Sequence, residues 1–282
     1  MLAESKKFVL GVKNRIEDDR LPFVAGSVAF FIFLSIFPML AVAVSIYGLV
    51  LDPQSAQNHI AALGALMPQD VLNIVSTRIK DLASQQNNSL SLGLAGGILI
   101  SLWSANKAMK NIAKALNIAY DTRENRGFIK LNAITLALTL VSSLAFIVAL
   151  LTVVLVPILV NAALASRSAG LITTLMSWAA FAAVLTGAFL IIYRYAPALR
   201  RNWKNILPGA GTAAVLFIIV SVGFSIYVAN FGKYDKQYGA LGAVVVTMLW
   251  LYFGAFIFLL GAEITAQQHQ NRETRDTRRH AT

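Results

Sequence analysis

The sequence predicts an all-α integral membrane protein that crosses the bilayer six times. Three observations carry that reading. Hydrophobic residues make up 57% of the chain and charged residues only 13%. Six stretches with at most one charge each approach or exceed the length of a spanning helix, and the cations crowd into alternate connections between them. A soluble chain of 282 residues could not cover so much apolar surface with so little charge. A helix needs about 20 apolar residues to cross a hydrocarbon core of roughly 30 Å.

The first span is read at 24–51, uncharged throughout. Pro38 inside it predicts a kink near Phe37, which a bilayer tolerates where neighbouring groups satisfy the freed carbonyl. A cleaved signal peptide would have an apolar run of only about 7–15 residues, so this longer run is read as a retained anchor. Residues 52–88 form a long outer loop. Within it Leu72, Val75, Ile79 and Leu82 follow helical spacing after Pro68 and Asp70, and an amphipathic helix on the outer leaflet is expected. The second span, 89–105, is short. Beyond it Met109, Ile112, Ala113, Leu116 and Tyr120 share one helical side, with Lys107, Lys110, Asn111 and Lys114 opposite. That pattern predicts an amphipathic extension leaving the bilayer. The remaining spans are read at 131–160, 171–193, 206–229 and 239–266. Residues 1–266 thus form a single membrane domain, and the polar 267–282 is expected to be a disordered cytoplasmic tail.

With these spans, 19 of the 24 Lys and Arg residues fall in 1–23, 106–130, 194–205 and 267–282, and five fall on the other side. The asymmetry predicts that both termini are cytoplasmic, and hence an even number of spans. It also accounts for most of the +11 net charge as a topology signal facing anionic lipid, so no nucleic-acid partner is expected.

Motifs for chemistry are few. There are no cysteines, and His59, His269 and His280 have no metal-ligand spacing. No phosphate loop, serine elbow or dinucleotide fingerprint is present. Neither catalysis nor any cofactor or metal is expected. Small residues such as Gly93 and Gly97, or Gly239 and Ala243, are read as close helix packing. The ionisable residues at span ends carry more information. Glu263 lies in the last turns of the sixth span, Lys107 closes the second, Arg194 closes the fourth and Arg20 precedes the first. Interfacial snorkelling explains them without function. A polar vestibule open to the inner leaflet is the alternative, and it would suit an anionic head group. Trp103 belongs to an interfacial aromatic belt, whereas Trp250 and Tyr252, nearer mid-span, are read as interhelical packing.

Several motifs together are similar to the YihY/BrkB family. They are the segment from Ala25 to Phe31 running on to Pro38; Leu102-Trp103-Ser104-Ala105 with Leu116-Asn117 and Tyr120; and the C-terminal set of Tyr234, Tyr238-Gly239-Ala240-Leu241-Gly242-Ala243, Trp250-Leu251-Tyr252 and Leu260-Gly261-Ala262-Glu263-Ile264. The resemblance covers about residues 10–266. It implies a six-helix bacterial inner-membrane protein associated with envelope integrity, resistance to killing by serum, and movement of lipids or lipid-linked precursors. The ribonuclease label once attached to the family finds no acid pair or metal site in these residues. The resemblance transfers no active site.

The leading expectation is a transporter or flippase-like protein for an anionic lipid or lipid-linked envelope component, with Arg20, Lys107 and Arg194 as head-group partners and Glu263 fixing or gating them. Membrane lipids are the expected partners. The rival expectation is a non-catalytic scaffold or partner subunit that engages envelope proteins. The residues specify no oligomeric state.

Overall fold

The computed structural model describes residues 2–50, 89–164, 169–231 and 235–280, and among them the backbone is helical apart from short connections. Among the described residues seven helices follow in order: α1 (Leu2–Asp18), α2 (Leu21–Val50), α3 (Ser89–Ala119), α4 (Phe128–Leu164), α5 (Ala169–Tyr195), α6 (Trp203–Phe231) and α7 (Asp235–His280). The expected outer-loop helix at 52–88 lies outside the described residues, as does Tyr234.

Four helices among the described residues are long and apolar enough to cross a membrane: Phe128–Phe146 in α4, Thr173–Tyr195 in α5, Trp203–Val228 in α6 and Leu241–Arg272 in α7. Their outward side chains are apolar: Leu140, Leu144, Leu175, Val215, Ile219 and Val245 are all exposed, as lipid-facing positions must be. A further pair, Lys6–Asp18 with Leu21–Ile36, passes the same test together but bends by 61°. The bend falls at Arg20, which adopts the left-handed backbone that ends many helices, with φ 48°. Helix α2 continues unbroken past Pro38 to Val50.

The chain forms two compact units, one of residues 1–31 and 108–282 and the other of 32–107. In the smaller unit the described residues are the rest of α2 and the first part of α3. Lys107 is exposed, and its Nζ lies 3.7 Å from the centre of the exposed Trp103 ring. In the larger unit α4 packs on α5, α5 on α6, α6 on α7, and α1 on α7. The last stretch of α3 buries Met109, Ala113, Leu116 and Tyr120 and leaves Lys114 exposed. Aromatic rings join the helix pairs. Phe189 and Tyr193 of α5 lie 5.0 and 4.8 Å from Phe258 of α7, and Phe217 of α6 lies 5.9 Å from Trp250.

The closest approach is between α6 and α7. A side chain at Gly261 would meet the carbonyl of Gly209, and one at Gly209 would meet the carbonyl of Gly261 and Thr265 Oγ1. Glycine at both positions lets the two backbones touch.

Beyond Ala266 the backbone of α7 runs on to His280. No Gly or Pro follows Gly261 to stop it, and Glu, Gln and Arg all favour helix. Gln267 is buried, its side chain filling the space beside Gly11 of α1, and Arg272 Nη1 donates to Asn205 Oδ1 at 2.6 Å.

Candidate functional site

The amphipathic helix α1 places Gly11, Val12, Arg15 and then Asp19 on one side, at spacings of three to four residues. That side meets α7. Gly11 adjoins Gln267, Val12 is buried, and Arg15 reaches Glu263. Arg15 Nε donates to Glu263 Oε2 at 2.8 Å, and Glu263 is fully buried. Arg15 Nη2 donates to the Ala119 carbonyl at 2.8 Å and to Asp121 Oδ2 at 2.9 Å. A single guanidinium thus ties together the N-terminal helix, the end of α3 and the last apolar helix.

The end of α3 is shaped for this contact. Thr122 N donates to Asn117 O at 2.8 Å and Asp121 N to Ile118 O at 3.0 Å, the paired bonds of a Schellman turn, with Asp121 left-handed at φ 50°. Aspartate tolerates that conformation better than most residues. Arg15 then satisfies a terminal carbonyl at the negative end of the helix dipole. Tyr120 is buried beside this turn, with Arg201 4.6 Å over its ring, and burial pushes its hydroxyl pKa up.

A second network closes the next turn. Glu124 accepts from Arg126 Nε and Nη2, both at 2.7 Å, and from Asn117 Nδ2 at 3.0 Å. These bonds, those from Arg126 first, hold its carboxyl down at about 2. Arg126 Nη2 also donates to Ala196 O at 2.7 Å and Asn117 Oδ1 accepts from Ala198 N at 2.7 Å, so the loop after α3 caps the end of α5.

The residues expected at the site are only partly drawn together. Glu263 takes Arg15 as its cation. Arg20 is exposed at the α1–α2 turn. Arg194 stacks on Trp203 at 4.7 Å and its Nη1 donates to Arg201 O at 2.5 Å, while Arg200 lies 5.3 Å over Tyr195. Arg194 and Arg200 thus form a cationic, aromatic-lined rim at the α5–α6 connection, and Lys204 follows in the first turn of α6. Trp250 packs on Phe217, and its Nε1 donates to Ser221 Oγ at 3.2 Å; Tyr252 meets Phe253 edge-on and Phe256 at a tilt, both on its own helix. Tyr238, Gly239 and Gly242 lie in the first turns of α7. Gly261 makes the close approach to α6, and Tyr193 donates its hydroxyl proton to Phe258 O beside it.

Arg15, Asp19 and Asp121 were not expected at the site. The legible signal was Arg15 on the same side of α1 as Val12. Between α6 and α7 there is also an open furrow of about 630 Å³, lined by Ser221, Phe224, Ser225, Val228, Val246, Thr247 and Trp250. Among the described residues, no three His, Asp or Glu side chains are placed to hold a metal ion.

These features belong to a multi-pass membrane protein with a buried ionic cluster where its N-terminal and last helices meet. The chain matches the family described as Virulence factor BrkB over residues 12–282, and it is a member of that family. It is 31% identical over 260 residues to a Bacillus subtilis protein named ribonuclease-like protein YfkH, covering 89% of this chain and 91% of the relative. It is 27% identical to a UPF0761 membrane protein of Photobacterium profundum, covering 96% and 84%, and 30% identical to one of Vibrio parahaemolyticus, covering 90% and 79%. No solved structure matches the chain.

Proposed function

We propose that this protein is a six-span inner-membrane transporter or flippase-like protein for an anionic lipid or lipid-linked envelope component, with both ends cytoplasmic and no catalytic chemistry of its own. The α6–α7 furrow carries the reading. Phe224, Val228 and Val246 give it apolar walls that suit acyl chains, and the hydroxyls of Ser221, Ser225 and Thr247 add a polar track within an apolar segment. Arg194, Arg200 and Lys204 stand where α6 begins, so cations suited to a phosphate lie at one end of the helix that borders the furrow. The six-span count takes α2 and α3 as spans beside the four apolar helices, and the orientation rests on the uneven distribution of cations.

The test is reconstitution in liposomes carrying fluorescent phospholipid on both leaflets, with an impermeant quencher added outside. Bleaching beyond the outer-leaflet fraction is expected. It should fall in Ser225→Trp, which fills the furrow, and in the Lys107→Glu/Arg194→Glu pair, with helicity unchanged. Bleaching no greater than in empty liposomes would overturn the reading and favour a scaffold for envelope proteins.

A further inference from the structure

One fully buried carboxyl and one half-buried carboxyl share a half-buried guanidinium. The side chain of Arg15 is 14% exposed, that of Asp19 17% and that of Glu263 0%. Arg15 Nε lies 2.8 Å from Glu263 Oε2, and Nη2 lies 3.9 Å from Asp19 Oδ2. Asp121 also contacts Nη2, but at 72% exposure water screens its charge. With every group ionised, Arg15, Asp19 and Glu263 together would carry a net negative charge, costly for the fully buried Glu263.

A second observation points the same way. Glu263 Oε1 is buried and accepts no hydrogen bond within the described residues. Both carboxyls lie against the same guanidinium, Glu263 at Nε and Asp19 at Nη2. One proton on this pair resolves both problems: an O–H···O bond between the carboxyls replaces repulsion, and the buried charge falls to one cation against one anion.

We infer that Asp19 and Glu263 form a binding site for one exchangeable proton beside Arg15, and that its occupancy holds α1 against α7. The other groups facing the cluster are Asp18 in the same turn, Tyr120 and Asp121 from the end of α3, Tyr193 from α5, and Arg201 over the Tyr120 ring. Burial holds the proton on Tyr120, which adds no charge. Burial raises the Asp19 carboxyl above its usual range, which accords with a proton held there. The sign follows: a carboxyl that binds its proton more tightly when docked favours docking below its ordinary pKa. That contribution is lost as pH rises through the raised value. Release of α1 would act through the Asp19–Arg20 turn on the base of α2. As a control on lipid movement this rests on the transport reading, but the protonation itself does not.

Infrared spectra of the full chain in liposomes, titrated from about pH 5 to about pH 9, the range in which buried carboxyls are known to titrate, read the carboxylic-acid band directly. We expect one protonated carboxyl that persists after exposed acids have ionised, disappears in a single transition, and is absent in both Asp19→Asn and Glu263→Gln. The chain has no cysteine, so a dye on Leu10→Cys reports α1 alone and should change through the same transition. A wild-type spectrum without a protonated carboxyl at neutral pH would overturn the inference, whatever the folding of the variants. So would a band that survives in both. A band of the expected behaviour in a protein that moves no lipid would support the proton site and sink only the transport reading.

Discussion

Replacing Arg15 by methionine tests whether the cluster holds the N-terminal helix in place. Methionine keeps much of the apolar stem but removes every donor. The bonds lost are those to Glu263 Oε2 at 2.8 Å, to Ala119 O at 2.8 Å and to Asp121 Oδ2 at 2.9 Å. The first matters most, because Glu263 is fully buried and would be left without its cation. Removing one partner of a buried pair costs about 3–5 kcal/mol, a large share of a typical total stability of about 5–15 kcal/mol. Adding Glu263→Gln then removes the stranded charge while keeping the shape. The double variant should therefore be more stable than Arg15→Met alone, with a coupling of about 0.5–3 kcal/mol between the sites. Reversible denaturation in mixed micelles, followed by helicity, would rank wild type above the double variant and the double above the single. An Arg15→Met protein within about 0.5 kcal/mol of wild type, the range of ordinary surface substitutions, would refute the reasoning. So would a double variant that merely adds the two single losses.

Three further outcomes are expected. In Gly261→Ala the new methyl would lie 2.5 Å from Tyr193 Oη and 2.6 Å from both Ala213 Cβ and Gly209 O, so α6 and α7 must separate. The unfolding midpoint should fall by the equivalent of about 1–3 kcal/mol or more. Gly211→Ala, with no atom within 4 Å of the new carbon, should instead gain up to about 1 kcal/mol of helix propensity. For Glu124 the folded carboxyl sits near 2, below its ordinary value, so its contribution is present above the ordinary value and is lost as pH falls toward 2. Hydrogen exchange at the Ala198 amide, corrected for the intrinsic rate, should accelerate over that acid window and should be fast at every pH in Glu124→Gln.

Much of the helix pattern was legible because spanning a bilayer is a local demand. Uncharged runs of sufficient length announce themselves residue by residue, and 131–160, 171–193, 206–229 and 239–266 all fall inside observed helices. The cluster was less legible. Glu263 stood out as an acid in an apolar span, but its partner is 248 residues away and read as one more topology cation in 1–23. Asp121 gave no sign, because its place depends on a left-handed residue that closes α3. The partners of Gln267 and Arg272, Gly11 and Asn205, were not legible, because each lies far away along the chain.

By itself, then, the sequence determined the membrane class, the long apolar helices and the uneven distribution of cations along the chain, since each follows from hydropathy and charge along consecutive residues. Only the tertiary structure decided which charge meets which. Arg15 finds Glu263, Asp121 and the Ala119 carbonyl because α1, the end of α3 and α7 converge, and a buried ion must be paired by whatever the fold brings within about 3 Å of it.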